Sequence, residues 1–165
     1  MKLKNPQTGF TLMEILIYVA VLAIIIVAIF SFFLWATRSN IKAKVMRETL
    51  NNARRTMEIV THEIKEAKSI LPSTPTYLSL EREDGTNLDF YLCGTALCLK
   101  KGLEDAVTLT SDRVEVSNLN FTQITTDTST SSVQIGLEVN YKNPGNRSEY
   151  QALVNVTSTA SLRLY

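Results

Sequence analysis

The longest uncharged stretch of the chain restricts its fold more than any other feature. No charged residue occurs from Ile15 to Thr37, a run of 23 residues. As an α-helix with a rise of about 1.5 Å per residue, this run is roughly 34 Å long, enough to cross a hydrocarbon core of about 30 Å. The sequence therefore predicts a membrane-spanning helix near the N-terminus, followed by enough residues for one modest domain.

The residues on either side of this run argue against a cleaved secretory signal. Lys2 and Lys4 provide a basic start. A secretory signal, however, has an apolar core of only about 7–15 residues, followed by small residues at the cleavage site. Here the run is longer and leads into the bulky residues Phe32-Phe33-Leu34-Trp35. We therefore expect the helix to be an anchor.

Glu14 lies inside the apolar block, which begins at Phe10. A carboxylate at membrane depth costs several kcal/mol unless it is paired. No Lys or Arg lies between Asn5 and Thr37, and Tyr18 offers only a hydroxyl one helical turn away. We expect the partner of Glu14 to come from another molecule or from a new chain terminus. The alternative is that Glu14 lies at the headgroup level of an ordinary signal anchor.

The residues around Glu14 resemble the class III signal of type IV pilins and type II secretion pseudopilins. The motif is Gly9-Phe10-Thr11-Leu12-Met13-Glu14, placed between a polar leader and the apolar run. The resemblance implies cleavage by a prepilin peptidase between Gly9 and Phe10, and N-methylation of the new Phe10 amine. It implies that Glu14 neutralises the N-terminal amine of a neighbouring subunit. It also implies other pilin or pseudopilin subunits, an inner-membrane assembly platform and, before assembly, membrane lipid as partners.

Two details favour a minor pilin or a J-type pseudopilin over a major pilus subunit. Major type IV pilins usually carry Gly or Pro in the membrane half of their helix, and this chain has neither between Phe10 and Leu71. The ending Ala160-Ser161-Leu162-Arg163 is also similar to that of J-type pseudopilins and related minor pilins.

Residues 38–71 predict a second, amphipathic half of the same helix. Apolar residues recur there at alternating spacings of four and three, at Met46, Leu50, Ala53, Met57, Val60, Ile64, Ala67 and Leu71. Pro72 and Pro75 are expected to end the helix. A coiled-coil dimer is the alternative use of the apolar stripe. The predicted organisation is a leader at 1–9, a transmembrane or fibre-core half at 10–37, an amphipathic half at 38–71 and a head at 72–165.

Apolar and polar residues alternate through the head, as they do in half-buried strands. The alternating pairs and runs are Leu78/Leu80, Leu88/Phe90/Leu92, Leu97/Leu99, Val114/Val116, Leu119/Phe121 and Val133 to Tyr141, with a final run from Tyr150 to Leu164. We expect an antiparallel sheet packed on the helix, which is an α+β fold of the pilin type. The Ser/Thr-rich segment 122–132 is expected to be a flexible loop.

The head contains few residues suited to reactive chemistry. Cys93 and Cys98 flank a predicted tight turn and are within reach of a disulfide, although two buried thiols are the alternative. His62 and two cysteines do not complete a zinc site. No nucleophile–base pattern or phosphate loop is recognisable. We expect neither an enzyme nor a bound metal or cofactor.

The charge of the head argues against a nucleic-acid surface on it. Residues 72–165 carry 7 basic and 11 acidic side chains, which opposes phosphate binding through this subunit.

The charges on either side of the apolar run bear on its orientation in the membrane. Six basic residues follow the run, between residues 38 and 55, and two precede it, so the positive-inside rule predicts a cytoplasmic head. The family resemblance implies the opposite orientation, which we adopt.

These observations predict a structural subunit of a type IV pilus or of a type II secretion pseudopilus. The subunit would wait in the inner membrane with its head outside the cytoplasm, before extrusion into a helical fibre. One alternative is a permanent single-pass anchor that displays an extracytoplasmic β-rich binding domain. The other is a DNA-uptake (competence) pilin.

Overall fold

The computed structural model describes residue 9, residues 11–125 and residues 131–163, and these fall into two compact units, Met1–Asn40 and Ile41–Tyr165. Most of the predicted leader, Phe10 and the middle of the predicted loop 122–132 lie outside the described residues. The described part contains one long helix followed by antiparallel sheets. This confirms the predicted α+β, pilin-like fold.

Helix α1 spans Leu12–Glu66 without an interior Gly or Pro. It ends earlier than the predicted Leu71, because the residues before Pro72 form strand interactions instead. The amide of Lys68 donates to the carbonyl of Glu81 at 2.8 Å, and the amide of Leu71 donates to the carbonyl of Ser79 at 3.0 Å. Main-chain hydrogen bonds to a neighbouring strand therefore end the helix before proline does.

The second unit contains two antiparallel sheets where the sequence analysis expected one. The first has the order β1-β2-β3-β4-β5, and the second the order β6-β7-β8. Their bounds are β1 Ser69–Ile70, β2 Tyr77–Glu81, β3 Asn87–Cys93, β4 Ala96–Lys101, β5 Val107–Thr108, β6 Val114–Thr125, β7 Ser131–Tyr141 and β8 Leu153–Ser161. Two short hydrogen bonds link β6 to the first sheet and its flank, from the amide of Val116 to the carbonyl of Thr95 at 2.8 Å and from that of Phe121 to that of Pro75 at 2.7 Å.

One cluster of buried apolar side chains joins α1 to both sheets. Ala53, Val60 and Ile64 of the predicted stripe contribute to it. The start of the stripe was predicted wrongly, because Val45 and Thr49 are buried there, while Met46 is 41% exposed. Thr49 is compatible with burial because its hydroxyl donates to the carbonyl of Val45 at 3.0 Å.

The Ser/Thr-rich segment is shorter as a loop than predicted. β6 continues to Thr125 and β7 begins at Ser131, so strand pairing extends into both ends of segment 122–132. In this ladder Gln123 pairs with Val133 and Ile124 with Ser132. The polar composition of the segment suggested a loop, although threonine is also a favourable strand residue.

Candidate functional site

The start of α1 is held by Thr11. The main-chain amide of Glu14 donates to the Oγ1 atom of Thr11 at 3.3 Å and to its carbonyl oxygen at 3.0 Å. A threonine hydroxyl in this position accepts from one of the helix amides that have no partner within the helix. Thr11 thus acts as the N-cap, and Glu14 lies in the first turn, where the helix dipole favours a negative charge.

The Glu14 carboxylate accepts one hydrogen bond from a side chain among the described residues. The Tyr18 hydroxyl donates to its Oε1 atom at 3.2 Å. Tyr18 is the neighbouring donor expected from the sequence. No ion pair of Glu14 occurs among residues 11–125 and 131–163. One neutral donor does not balance a carboxylate in an apolar medium. Glu14 is therefore suited to receive a cation from outside the described chain.

The side chains that follow Glu14 form an apolar helical surface exposed on all sides. An 18-residue window of α1 has a mean hydropathy of 3.1, and none of that window is buried. By length and composition this helix can cross a membrane. A fully apolar helix of this kind requires lipid or other apolar helices around it.

The residues just after the apolar run form a basic segment on the surface of α1. Its six basic side chains are all exposed: Arg38, Lys42, Lys44, Arg47, Arg54 and Arg55. The one acid among residues 38–55, Glu48, pairs with Arg113 of the head at 3.1 Å. Glu48 is thus engaged in an intramolecular contact, and the basic segment keeps its positive charge.

A second ion pair, near the C-terminal end of α1, also joins the helix to the head. The Nη2 atom of Arg82 donates to the Oε2 atom of Glu63 at 2.8 Å. This hydrogen bond raises the pKa of the Arg82 guanidinium. Arg82 and Arg113 gave no signal in the sequence, because single basic residues next to strands are common. These pairs orient the helix on the sheets and have no evident catalytic use.

The cysteine hairpin contains a disulfide. Cys93 and Cys98 are bonded, with Cα atoms 5.9 Å apart, and Gly94 adopts a φ of 70° in the two-residue turn. In this register Cys93 lies opposite Ala96 and Cys98 lies opposite Tyr91, so the bond runs diagonally across β3 and β4. The disulfide alternative of the sequence analysis is confirmed, and the alternative of two thiols is wrong.

Two tyrosine rings associate on the outer face of the first sheet, where Tyr91 lies opposite Cys98. The rings of Tyr77 and Tyr91 have centroids 6.2 Å apart, and Ser79 donates to Asp89 at 2.7 Å beside them. Burial, together with the neighbouring Asp89 carboxylate, raises the pKa of the Tyr77 hydroxyl. The alternating pattern predicts strands here but gives no sign that these side chains associate.

The structure brings no metal-binding set together among the described residues. His62 is exposed, and its Nε2 atom lies 3.5 Å from a Glu66 carboxylate oxygen one turn along the helix. Within the described part of the chain, no group of three or more His, Cys, Asp or Glu side chains could hold a metal ion.

Comparison with known families matches one segment of the chain. Residues 4–30 match the family model described as the prokaryotic N-terminal methylation motif. This segment contains Gly9 to Glu14, and the match confirms the class III signal predicted from those residues. Neither the curated proteins nor the solved structures yield a match to this chain.

Proposed function

We propose that this chain, whose N-terminus carries the methylation motif of type IV pilin-like proteins, is a structural subunit of a type IV pilus or of a type II secretion pseudopilus. The observation that carries the proposal is Glu14. Its carboxylate lies in the first turn of an exposed apolar helix, and no described cation balances it.

Processing would create the missing cation. Hydrolysis of the Gly9–Phe10 peptide bond by a prepilin peptidase leaves a free amine on Phe10, four residues before Glu14. N-methylation of this amine retains its positive charge at neutral pH. Thr11 caps α1 directly after Phe10, so the new terminus would lie close to the helix start. The Phe10 ammonium of one subunit then pairs with Glu14 of its neighbour.

Assembly would exchange lipid for protein around the apolar half of α1. Before assembly, this helix anchors the subunit in the inner membrane, with the head outside the cytoplasm as in the family. Within a fibre, the same surface packs against the apolar helices of other subunits. Leaving Glu14 unpaired in that core costs about 3–5 kcal/mol, so the Glu14–Phe10 pair selects one register of neighbouring helices.

The helix also supports a place among minor pilins or J-type pseudopilins. α1 contains 55 residues and has no Gly or Pro to loosen it. Helices without such residues lack the usual sites of kinking. The head carries no described metal cluster, and its ion pairs and disulfide stabilise its own fold. These features support a building block in preference to a catalyst.

Intact mass and N-terminal sequencing of the native, membrane-extracted protein test the proposal. We expect a chain that begins at Phe10 and is heavier by one methyl group. The matched control is the same protein from cells that lack prepilin peptidase activity, which should retain Lys2 and Lys4. A native chain that keeps its leader would leave Glu14 without a cation and would establish a permanent anchor instead.

A further inference from the structure

One long edge of the second sheet is open. β8 pairs with β7 along its whole length, from Leu153 opposite Asn140 to Ser161 opposite Ser132. On its other side, no described strand pairs with it. The strand has nine residues, a length comparable to that of peptides bound by strand addition.

The direction of the outward main-chain groups follows from one hydrogen bond. The amide of Tyr141 donates to the carbonyl of Ala152 at 3.0 Å. In an antiparallel ladder such pairs alternate, and the β7–β8 register contains no shift. Even-numbered residues of β8 therefore bond to β7. The residues whose amide and carbonyl groups point to the open side are Leu153, Asn155, Thr157, Thr159 and Ser161.

This edge lacks the features that normally prevent strand addition. Exposed edges are usually protected by charged side chains, proline or a bulge, and β8 has none of these. Val154 and Val156, on the inner face of the strand, are only half-buried although they pack against the core. A further strand would complete their burial.

Two grooves lie at the ends of the open edge. The first, of about 390 Å³, includes Glu115, Tyr150 and Leu153 in its lining. The second, of about 590 Å³, is lined by residues 159–163 together with His62, Lys65 and Glu66. The lining of the second groove contains two basic side chains, Lys65 and Arg163, and one acid, Glu66. Lys65 forms no ion pair among the described residues. The first groove contains Leu153 at the start of β8, and the second contains Thr159 to Ser161 at its end.

We propose that the open edge of β8 accepts an extended segment of a different protein as a fourth strand of this sheet. Main-chain hydrogen bonds to residues 153–161 supply the affinity. Apolar residues at alternate positions of the segment cover Val154 and Val156. An acidic side chain at the end nearest Lys65 sets the register, and the groove at Tyr150 accepts a side chain at the other end.

The geometry favours a different protein over a second copy of this chain. The other edge strands of the head are either two residues long, as in β1 and β5, or already bonded to loops, as in β6. β8 itself contains no acidic side chain. A second β8 strand would therefore lack the negative charge that complements Lys65 in the groove at the end of this edge.

Peptide binding to the full chain in detergent micelles tests the proposal. The probe is a fluorescent nine-residue peptide of alternating valine and threonine with an N-terminal glutamate, and a version with glutamine in place of glutamate is its partner. The variant Thr157→Pro removes an outward amide and no bond to β7, whereas Thr157→Ala keeps that amide. We expect Thr157→Pro to weaken binding by about tenfold or more and Thr157→Ala to leave it unchanged. We also expect Lys65→Ala to remove the preference for the glutamate peptide.

Hydrogen exchange of the unmodified chain gives a second readout that does not depend on a proline variant. In the free protein, the amides of Asn155, Thr157 and Thr159 should exchange far faster than those of Val154 and Val156, and the peptide should slow them. Equal protection of both sets in the free chain would overturn the proposal. It would also be overturned by absence of peptide binding, or by equal binding to a folded Thr157→Pro variant.

Discussion

The apolar half of α1 exposes its apolar side chains, whereas the head buries most of its own in a core. Ile26, in the apolar half, is 53% exposed, whereas Ile64, in the amphipathic half, is fully buried among strand residues. The head pairs Glu48 and Glu63 with its own arginines, but Glu14 has no described cation. The difference indicates that the head buries its apolar side chains through its own contacts, whereas the apolar half requires lipid or other apolar helices around it.

Removing the charge of Glu14 should have the largest effect on this contrast. In Glu14→Gln, the Phe10 ammonium of the neighbouring subunit would be left unpaired in the fibre core, at a cost of about 3–5 kcal/mol per contact. We expect cleavage to continue and fibres to be lost. Electron microscopy of sheared fibres measures assembly, and the mass of the membrane-extracted chain measures cleavage.

The matched control for Glu14→Gln is Glu58→Gln, which removes an exposed carboxylate elsewhere on the same helix. This control should assemble normally. Wild-type fibre yield from Glu14→Gln would show that the carboxylate does not set the register. Failure of both variants would point to a general effect of charge on the helix.

Truncating one isoleucine in each region comes next in size. Ile64→Ala should lower the free energy of unfolding of the head by about 2–5 kcal/mol, because it opens a cavity in a close-packed core. Ile26→Ala should leave head stability unchanged, because its side chain is 53% exposed and adds nothing to the buried cluster of the head. Urea unfolding in micelles, followed by the tyrosine near-ultraviolet signal, measures both. A large loss of head stability from Ile26→Ala would contradict the independence of the two regions.

The sequence was sufficient for features set by local pattern. An uncharged run long enough to span a membrane, an alternation of period two and a glycine turn between two cysteines each have one simple structural solution. The helix, β2, β3, β4, β7 and the disulfide hairpin were predicted for this reason. The motif at Gly9 to Glu14 was equally local, and the match to residues 4–30 confirms it.

Features set by distant contacts could not be predicted from local pattern. The early end of α1 depends on hydrogen bonds from Lys68 and Leu71 to β2. Burial of Thr49 depends on which side of the helix meets the sheets. The division into two sheets depends on where β6 lies relative to the first sheet. It contacts the turn between β3 and β4, where the amide of Val116 donates to the carbonyl of Thr95. Residue type alone specifies none of these.

Removing the disulfide should have an intermediate effect confined to the head. The bond between Cys93 and Cys98 closes a loop of only six residues, so its loss should cost about 2 kcal/mol by the loop-entropy relation. We expect Cys93→Ala/Cys98→Ala to unfold at a lower urea midpoint and still assemble, because the β3–β4 register is set by main-chain pairing. Reduction of the wild-type chain should produce the same shift. An unchanged midpoint in both experiments would show that the bond adds no stability.

Alkaline pH should reveal the smallest effect, at Tyr77 on the outer face of the first sheet. Its pKa is raised above 10.0 by burial and by Asp89, so the folded state favours the neutral hydroxyl. This contribution is fully present below the unfolded pKa and is lost as the pH rises through the folded pKa. Tyr77→Phe should therefore reduce the fall in urea midpoint between about pH 9 and pH 11. Asp89→Asn should give only part of that reduction, because burial is the larger cause and remains. If Tyr77→Phe keeps the full alkaline fall, ionisation of this hydroxyl does not destabilise the head.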